Sequence, residues 1–160
     1  MDLSNLKEKA KNAEPANKKL FDKLKKKKPK DLDDVVHALH EEAFEKIDCL
    51  QCANCCKTTS PIFKDIDIDR ISKRLKMRPG DFIGKYLHMD EDNDYVLNVA
   101  PCPFLDPENY CLIYDDRPTA CREYPHTNRK RFYQLLDLTM KNTEICPAVF
   151  DIVEEMKKKY

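Results

Sequence analysis

The sequence predicts an α+β, helix-rich fold: a small single domain with one small β-hairpin. Two observations carry that expectation. Apolar residues recur at three- and four-residue steps over most of the 160-residue chain. Stretches with strand-like alternation are short and fall between residues 95 and 114.

Residues 3–12 and 16–28 read as two short helices split by Pro15, the second with Leu20, Phe21 and Leu24 as a narrow apolar stripe and Pro29 as its stop. Residues 31–47 give the clearest helix, with Leu32, Val35, Val36, Leu39, Ala43 and Ile47 on one face and Asp31 at the cap position. Asp67 is placed to cap a helix carrying Ile68, Ile71 and Leu75. Arg78-Pro79-Gly80-Asp81 opens another that runs to about Leu87. Residues 88–94 form an acidic turn, and Tyr95–Val99 alternates as a short strand. Phe104-Leu105 and Tyr110–Tyr114 flank Asp106-Pro107-Glu108-Asn109, a hairpin-turn sequence. Residues 129–142 and 147–158 read as two closing helices, with Pro147 at a first helical position.

Composition narrows the function. Two glycines, Gly80 and Gly84, cannot build a P-loop or a dinucleotide-binding loop, because those loops bring phosphate against bare backbone. The formal net charge is zero, yet residues 1–30 hold eleven lysines and four acids, a net of +7, against −7 for residues 31–160. The sequence thus divides into a basic helical arm, 1–30, and a body, 31–160. The arm is a solvated helix and linker resting on the acidic body, or a surface for an acidic partner. Phe21 is its single aromatic, so base stacking is absent and nucleic acid is not the expected partner. The N-terminal residues show no secretory h-region, and no stretch approaches the roughly 18 apolar residues of a membrane span. A cytoplasmic location, with reduced thiols, is expected.

The cysteines are the strongest signal. Cys49, Cys52, Cys55 and Cys56 form a CxxCxxCC run, and Cys102, Cys111, Cys121 and Cys146 follow. Disulfides would need an oxidising compartment, and inert buried thiols would not cluster at two-residue gaps. Metal ligation uses that gap directly, since C-x2-C lets two thiolates converge on one ion. Hydrophobic residues are only 41% of the chain, so the apolar core is thin, and a metal centre would supply what it lacks. Three cysteines as C-x2-C-x2-C resemble a loop that grips three corners of a cubane iron–sulfur cluster, and Cys102-Pro103 and Cys146-Pro147 both fit its remote fourth ligand. Zinc would be satisfied by Cys49, Cys52 and a remote pair. Neighbouring side chains diverge, so Cys55 and Cys56 point to two sites or to one polynuclear site.

These residues, together with Cys102-Pro103-Phe104-Leu105, the run from Cys111 to Pro125 and Cys146-Pro147, resemble the YkgJ-like CxxCxxCC cysteine-cluster family. The resemblance spans about residues 45–150. It implies a zinc- or iron-chelating domain with all eight cysteines as ligands; members are often labelled iron–sulfur oxidoreductases, and a related branch holds flagellin lysine methylases. Arg117, Pro118, Arg122, Tyr124 and Pro125 carry over only as motif residues without a role.

The remaining polar residues are weighed against that centre. Lys57, Arg117 and Arg122 lie beside cysteines and would either neutralise thiolate charge or form ordinary surface pairs. Of His37, His40, His88 and His126, the last is the best placed as a ligand, yet eight thiolates already complete two shells. Asp65, Asp67 and Asp69 alternate like a calcium loop but lack its glycine and terminal glutamate, and read as a helix cap and first turn. Tyr114 and Tyr124 are expected to fill the core beside the metal. The expectation is therefore a cysteine-cluster domain, residues 31–160, organised around a Cys-ligated metal centre. It would hold zinc or an iron–sulfur cluster as its cofactor, with metal ions as its partners. The alternative is an iron–sulfur oxidoreductase or protein-modifying enzyme.

Overall fold

The computed structural model describes residues 3–160. In chain order the elements are α1 (Leu6–Lys27), α2 (Leu32–Lys46), α3 (Cys49–Cys52), α4 (Asn54–Thr58), α5 (Asp65–Arg74), α6 (Pro79–Tyr86), β1 (Leu87–Met89), β2 (Tyr95–Leu97), α7 (Thr119–Glu123), α8 (Leu136–Thr143) and α9 (Pro147–Lys159). Single 3-10 turns cover Tyr114–Asp116 and Phe132–Gln134. The helix-rich class with one two-stranded antiparallel hairpin stands as predicted. The chain separates into two compact units: the N-terminal segment through Cys52 with Pro125–Tyr160, and Ala53–Tyr124.

The first unit is helical. Leu20, Phe21 and Leu24 of α1, Leu32, Val36 and Leu39 of α2, and Val149, Ile152 and Val153 of α9 close on Phe132 and Leu136. Each fully buried side chain of this size contributes about 1.5–3 kcal/mol. The predicted stripe of α2 is therefore its core face, with Val35 and Ile47 packed at the margin. Asp31 stands at the cap position but makes no cap bond; its carboxylate accepts from the Tyr160 hydroxyl at 3.2 Å. Asp33 instead caps another segment, accepting from the N–H groups of Arg131 and Phe132 at 2.8 and 2.9 Å. The predicted closing helix over 129–142 is shorter, a 3-10 turn followed by α8.

The expected break at Pro15 does not occur: α1 runs through it. An interior proline costs roughly 3 kcal/mol. Leu6 and Ala10 before it and Leu20, Phe21 and Leu24 after it share one buried face, and their packing outweighs that cost. The arm's charge is partly met inside the same unit. Lys25 pairs with Asp137 at 2.6 Å, Lys28 sits 4.9 Å above the Tyr133 ring, and Lys23 donates to the Tyr160 carbonyl.

The second unit packs Phe63, Ile68, Ile71, Phe82, Leu87, Leu97, Phe104 and Ile113. Phe82 and Phe104 stack with centroids 6.2 Å apart, and Tyr86 lies 5.0 Å from Phe104. The hairpin pairs Leu87 with Leu97 and Met89 with Tyr95. The predicted acidic turn thus closes a hairpin one strand earlier than expected. Asp90 accepts from the N–H groups of Asp92 and Asp94 at 2.9 Å each, and Asn93 takes the left-handed conformation. The hairpin predicted at residues 104–114 reduces to one bridge, Leu105 with Cys111. Asp106 does form its turn, accepting from the N–H groups of Glu108 and Tyr110 at 2.8 Å each, but the chain enters a 3-10 turn at Tyr114 before a ladder can extend.

Asn17 is fully buried on α1, and neither of its amide atoms has a hydrogen-bond partner among the described residues. Burying an unmet polar group costs about 1–3 kcal/mol. Asn17→Leu is therefore expected to raise the thermal midpoint by several degrees, followed by circular dichroism. A midpoint that stays level or drops would show that the amide is satisfied in solution.

Candidate metal centre

All eight cysteines are thiols rather than disulfides, Cys49 exposed and the other seven half-buried. Cys49 and Cys52 mark the ends of α3, and Cys55 and Cys56 lie in α4. Ala53 separates the two short helices with a left-handed backbone, φ 46°. That conformation is costly for a residue with a Cβ, and no glycine marks it in the sequence.

Within the second unit the backbone draws three cysteine positions toward one another, Cys56, Cys102 and Cys111. The Cys102 N–H donates to the Cys56 carbonyl at 2.8 Å, and the Leu105 N–H to the Cys102 carbonyl at 3.1 Å. Leu105 bridges Cys111, and the Leu112 N–H donates to the Phe104 carbonyl at 2.8 Å. Cys121 sits in α7, its N–H donating to the Pro118 carbonyl at 2.9 Å.

The thiol electrostatics follow the same grouping. Burial pushes Cys102 up to about 11, adjacent thiolates at Cys56 and Cys111 add to the shift, and the N–H groups of Phe104 and Leu105 pull against it. Cys121 is pushed to about 12 by burial and by the charges of Cys56, Cys102 and Cys111, with Arg117 opposing. Cys111 is also raised by burial, against an N–H of Ile113. Cys56 goes the other way, lowered to about 7: its hydrogen bond with Cys55 stabilises the thiolate, burial opposes, and Lys57 assists. In the first unit, burial raises Cys146 to about 11, the N–H groups of Val149 and Ala148 opposing, and Cys49 and Cys52 add to it.

Among the described residues no three Cys, His, Asp or Glu side chains form a ready-made coordination shell. The donor chemistry nonetheless fits a thiophilic ion. Backbone N–H groups beside Cys102, Cys111 and Cys146 each favour the thiolate, the kind of influence that stabilises a metal thiolate. A bound cation would remove the proton that burial now retains.

Other predicted residues fall outside that group. His37 bonds the Arg129 carbonyl at 3.0 Å, His40 the Thr127 hydroxyl at 2.7 Å, and His88 the Asn98 side chain at 2.9 Å. His126 adopts a left-handed backbone, φ 69°. Arg122 braces the turn before its own helix, donating to the carbonyls of Asp115 at 2.6 Å and Arg117 at 3.2 Å. Tyr114 is a correction: it does not fill the core but is 56% exposed, with the Arg117 guanidinium 3.8 Å from its ring centroid.

Asp67 is the residue that sequence reasoning misplaced. The cap position of α5 belongs to Lys64, whose N–H donates to Asp67 at 3.1 Å; Asp67 lies in the first turn and is wholly buried. Arg70 donates to it at 2.7 Å, and the N–H and hydroxyl of Thr119 at 3.0 and 2.9 Å. Burial pushes the carboxyl up, and these hydrogen bonds outweigh it, holding it below the usual carboxylate range. An acid at the third helical position with an arginine three residues on was the available signal.

Fold and donor set together define a small helix-rich protein with a thiol-rich framework. The chain belongs to the CxxCxxCC family, whose description reads "Putative zinc- or iron-chelating domain"; the family model matches residues 48–147, more than half of the sequence, and the YkgJ-like label fits it. No curated protein and no solved structure matches the chain. No helix of the described residues is long and apolar enough to cross a membrane.

His40 yields a pH test. Burial lowers its pKa from 6.5; Glu41 opposes the shift and His37 assists it. Below pH 6.5 the unfolded chain therefore binds a proton that the folded chain does not, until the lowered folded pKa is passed. Stability to urea is expected to decline as pH falls from 7.5 toward 5, and His40→Gln to flatten that decline. A parent profile that is level over this range, or a variant profile as steep as the parent's, would contradict it.

Proposed function

We propose that this protein chelates zinc or iron through cysteine thiolates. Cys56, Cys102, Cys111 and Cys121 are the set the geometry supports best, with Cys49, Cys52, Cys55 and Cys146 as the further ligands. The observation that carries the reading is the backbone framework joining Cys56, Cys102 and Cys111, inside the span that matches a metal-chelating family. Four thiolates are a complete tetrahedral shell for zinc. With an iron–sulfur cluster, the group would supply electron transfer.

The chain's own part is to hold the sulfurs, to donate backbone N–H groups to them and to offset their charge. Lys57 acts on Cys56, Arg117 and Arg74 on Cys111, and Arg117 on Cys121. The second reading, an iron–sulfur oxidoreductase or protein-modifying enzyme, is favoured by the C-x2-C-x2-C spacing of Cys49, Cys52 and Cys55 and by the two Cys-Pro pairs. A cytoplasmic setting suits either reading, since both need the eight thiols reduced.

Purification without oxygen, followed by assay of zinc, iron and acid-labile sulfide, is expected to find metal in stoichiometric amount. Iron with sulfide selects the cluster; zinc alone removes electron transfer. Metal held at a hundredfold excess over its dissociation constant stabilises the folded chain by about 2.7 kcal/mol. Chelator is expected to remove that gain, and Cys121→Ser to reduce both metal content and melting temperature. Full metal content in Cys121→Ser, with an unchanged melting curve, would remove Cys121 from the ligand set.

A further inference from the structure

The helix that carries Cys121 cannot hold itself in place. It has five residues, fewer than an isolated helix needs, and it makes no side-chain cap bond of its own. Pro118 before it lacks an N–H, so the first amide of α7 belongs to Thr119. That amide and the Thr119 hydroxyl are both received by Asp67 Oδ1, at 3.0 and 2.9 Å, from across 52 residues of sequence. Asp67 thus serves α7 as an N-cap supplied by another helix.

Arg70 completes the clamp. Its Nη2 donates to Asp67 Oδ1 at 2.7 Å and to the Arg117 carbonyl at 2.9 Å, while its Nε donates to the Asp116 carbonyl at 3.2 Å. Every backbone group held in this way lies between Asp116 and Thr119, and Cys121 follows two residues later. Asp67 and Arg70 stand on α5, whose Ile68 and Ile71 are buried in the core that also holds Phe104 and Ile113, neighbours of Cys102 and Cys111.

Resting on the chelation reading above, we propose that Asp67 is a positioning residue for the metal thiolate of Cys121. Through Thr119 and Arg70 it sets where α7 begins, and so holds the Cys121 sulfur in reach of Cys56, Cys102 and Cys111. Asp67 does not itself bind the ion. Its buried charge and fourfold hydrogen bonding serve placement, which the family description does not assign to any acidic residue.

The test uses the full chain loaded with zinc or with cobalt(II) as a spectroscopic probe. Affinity is measured by chelator competition, cobalt–thiolate charge-transfer absorbance counts bound sulfurs, and alkylation with mass spectrometry reports which cysteine is released. Asp67→Ala is expected to weaken zinc binding by 10–100-fold, the usual loss when a partner outside the ligand set is removed. The absorbance should fall by about one thiolate, and Cys121 should become the alkylated residue in the loaded protein. Thr119→Val leaves the Asp67–Arg70 pair in place and should move all three readouts in the same direction by less; it carries the test if Asp67→Ala does not fold. Thr119→Ser should restore the parent values.

Ile71→Val, a core change in the same helix, separates placement from general destabilisation, since it should lower the melting temperature without releasing Cys121. Parent-like affinity and Cys121 protection in a folded Asp67→Ala or in Thr119→Val would overturn the role. So would equal release of Cys121 in Ile71→Val. A parent chain that binds neither metal would overturn the chelation reading itself and this role with it, an outcome distinct from loss of the role alone.

Discussion

A carboxylate sealed from water persists as an anion only where its charge is met locally, and Asp67 is met four times. Arg70 supplies the countercharge, the Lys64 amide the local helix contact, and Thr119 two bonds from a distant segment. Desolvation alone would favour the neutral acid, so the lowered pKa records how strongly the hydrogen bonds act. Removing one partner of such a group is far more damaging than never having built it, because the remaining charge stays buried. The short helix bearing Cys121 inherits its position from this contact.

The thiols show the opposite balance. Cys102, Cys121 and Cys146 are half-buried without a full countercharge, and their protons are held well above the ordinary range. Backbone amides already point at several of the sulfurs, so the framework is arranged for thiolates that the burial alone would not support. Cys56, with Cys55 and Lys57 beside it, is the exception and titrates near neutrality. That contrast is what a thiophilic cation would resolve, since a coordinated sulfur gives up its proton.

Much of the fold was legible because long amphipathic helices announce themselves. The face of α2 built from Leu32, Val36 and Leu39 is the core face, and Pro79 and Pro147 open the helices they were expected to open. The departures have two causes, packing in one place and strand length in another. Pro15 reads locally as a break, yet a continuous apolar face carries α1 past it. Asp106 has every mark of a hairpin turn and makes it, but the strands on either side are too short to pair further. The cysteine run was unmistakable from spacing alone, whereas Asp67, one aspartate among three, carried no mark of its partner in Thr119.

By itself the sequence determined the helix-rich class, the eight thiols and the family to which they belong, because periodicity and ligand spacing are local properties of a chain. Only the tertiary structure decided which thiols share an electrostatic neighbourhood, which acid is buried and which segment that acid holds. Those depend on contacts between residues as far apart as Asp67 and Thr119, or Cys56 and Cys102. Such pairings are settled by the core that closes between them, and no short-range pattern records them.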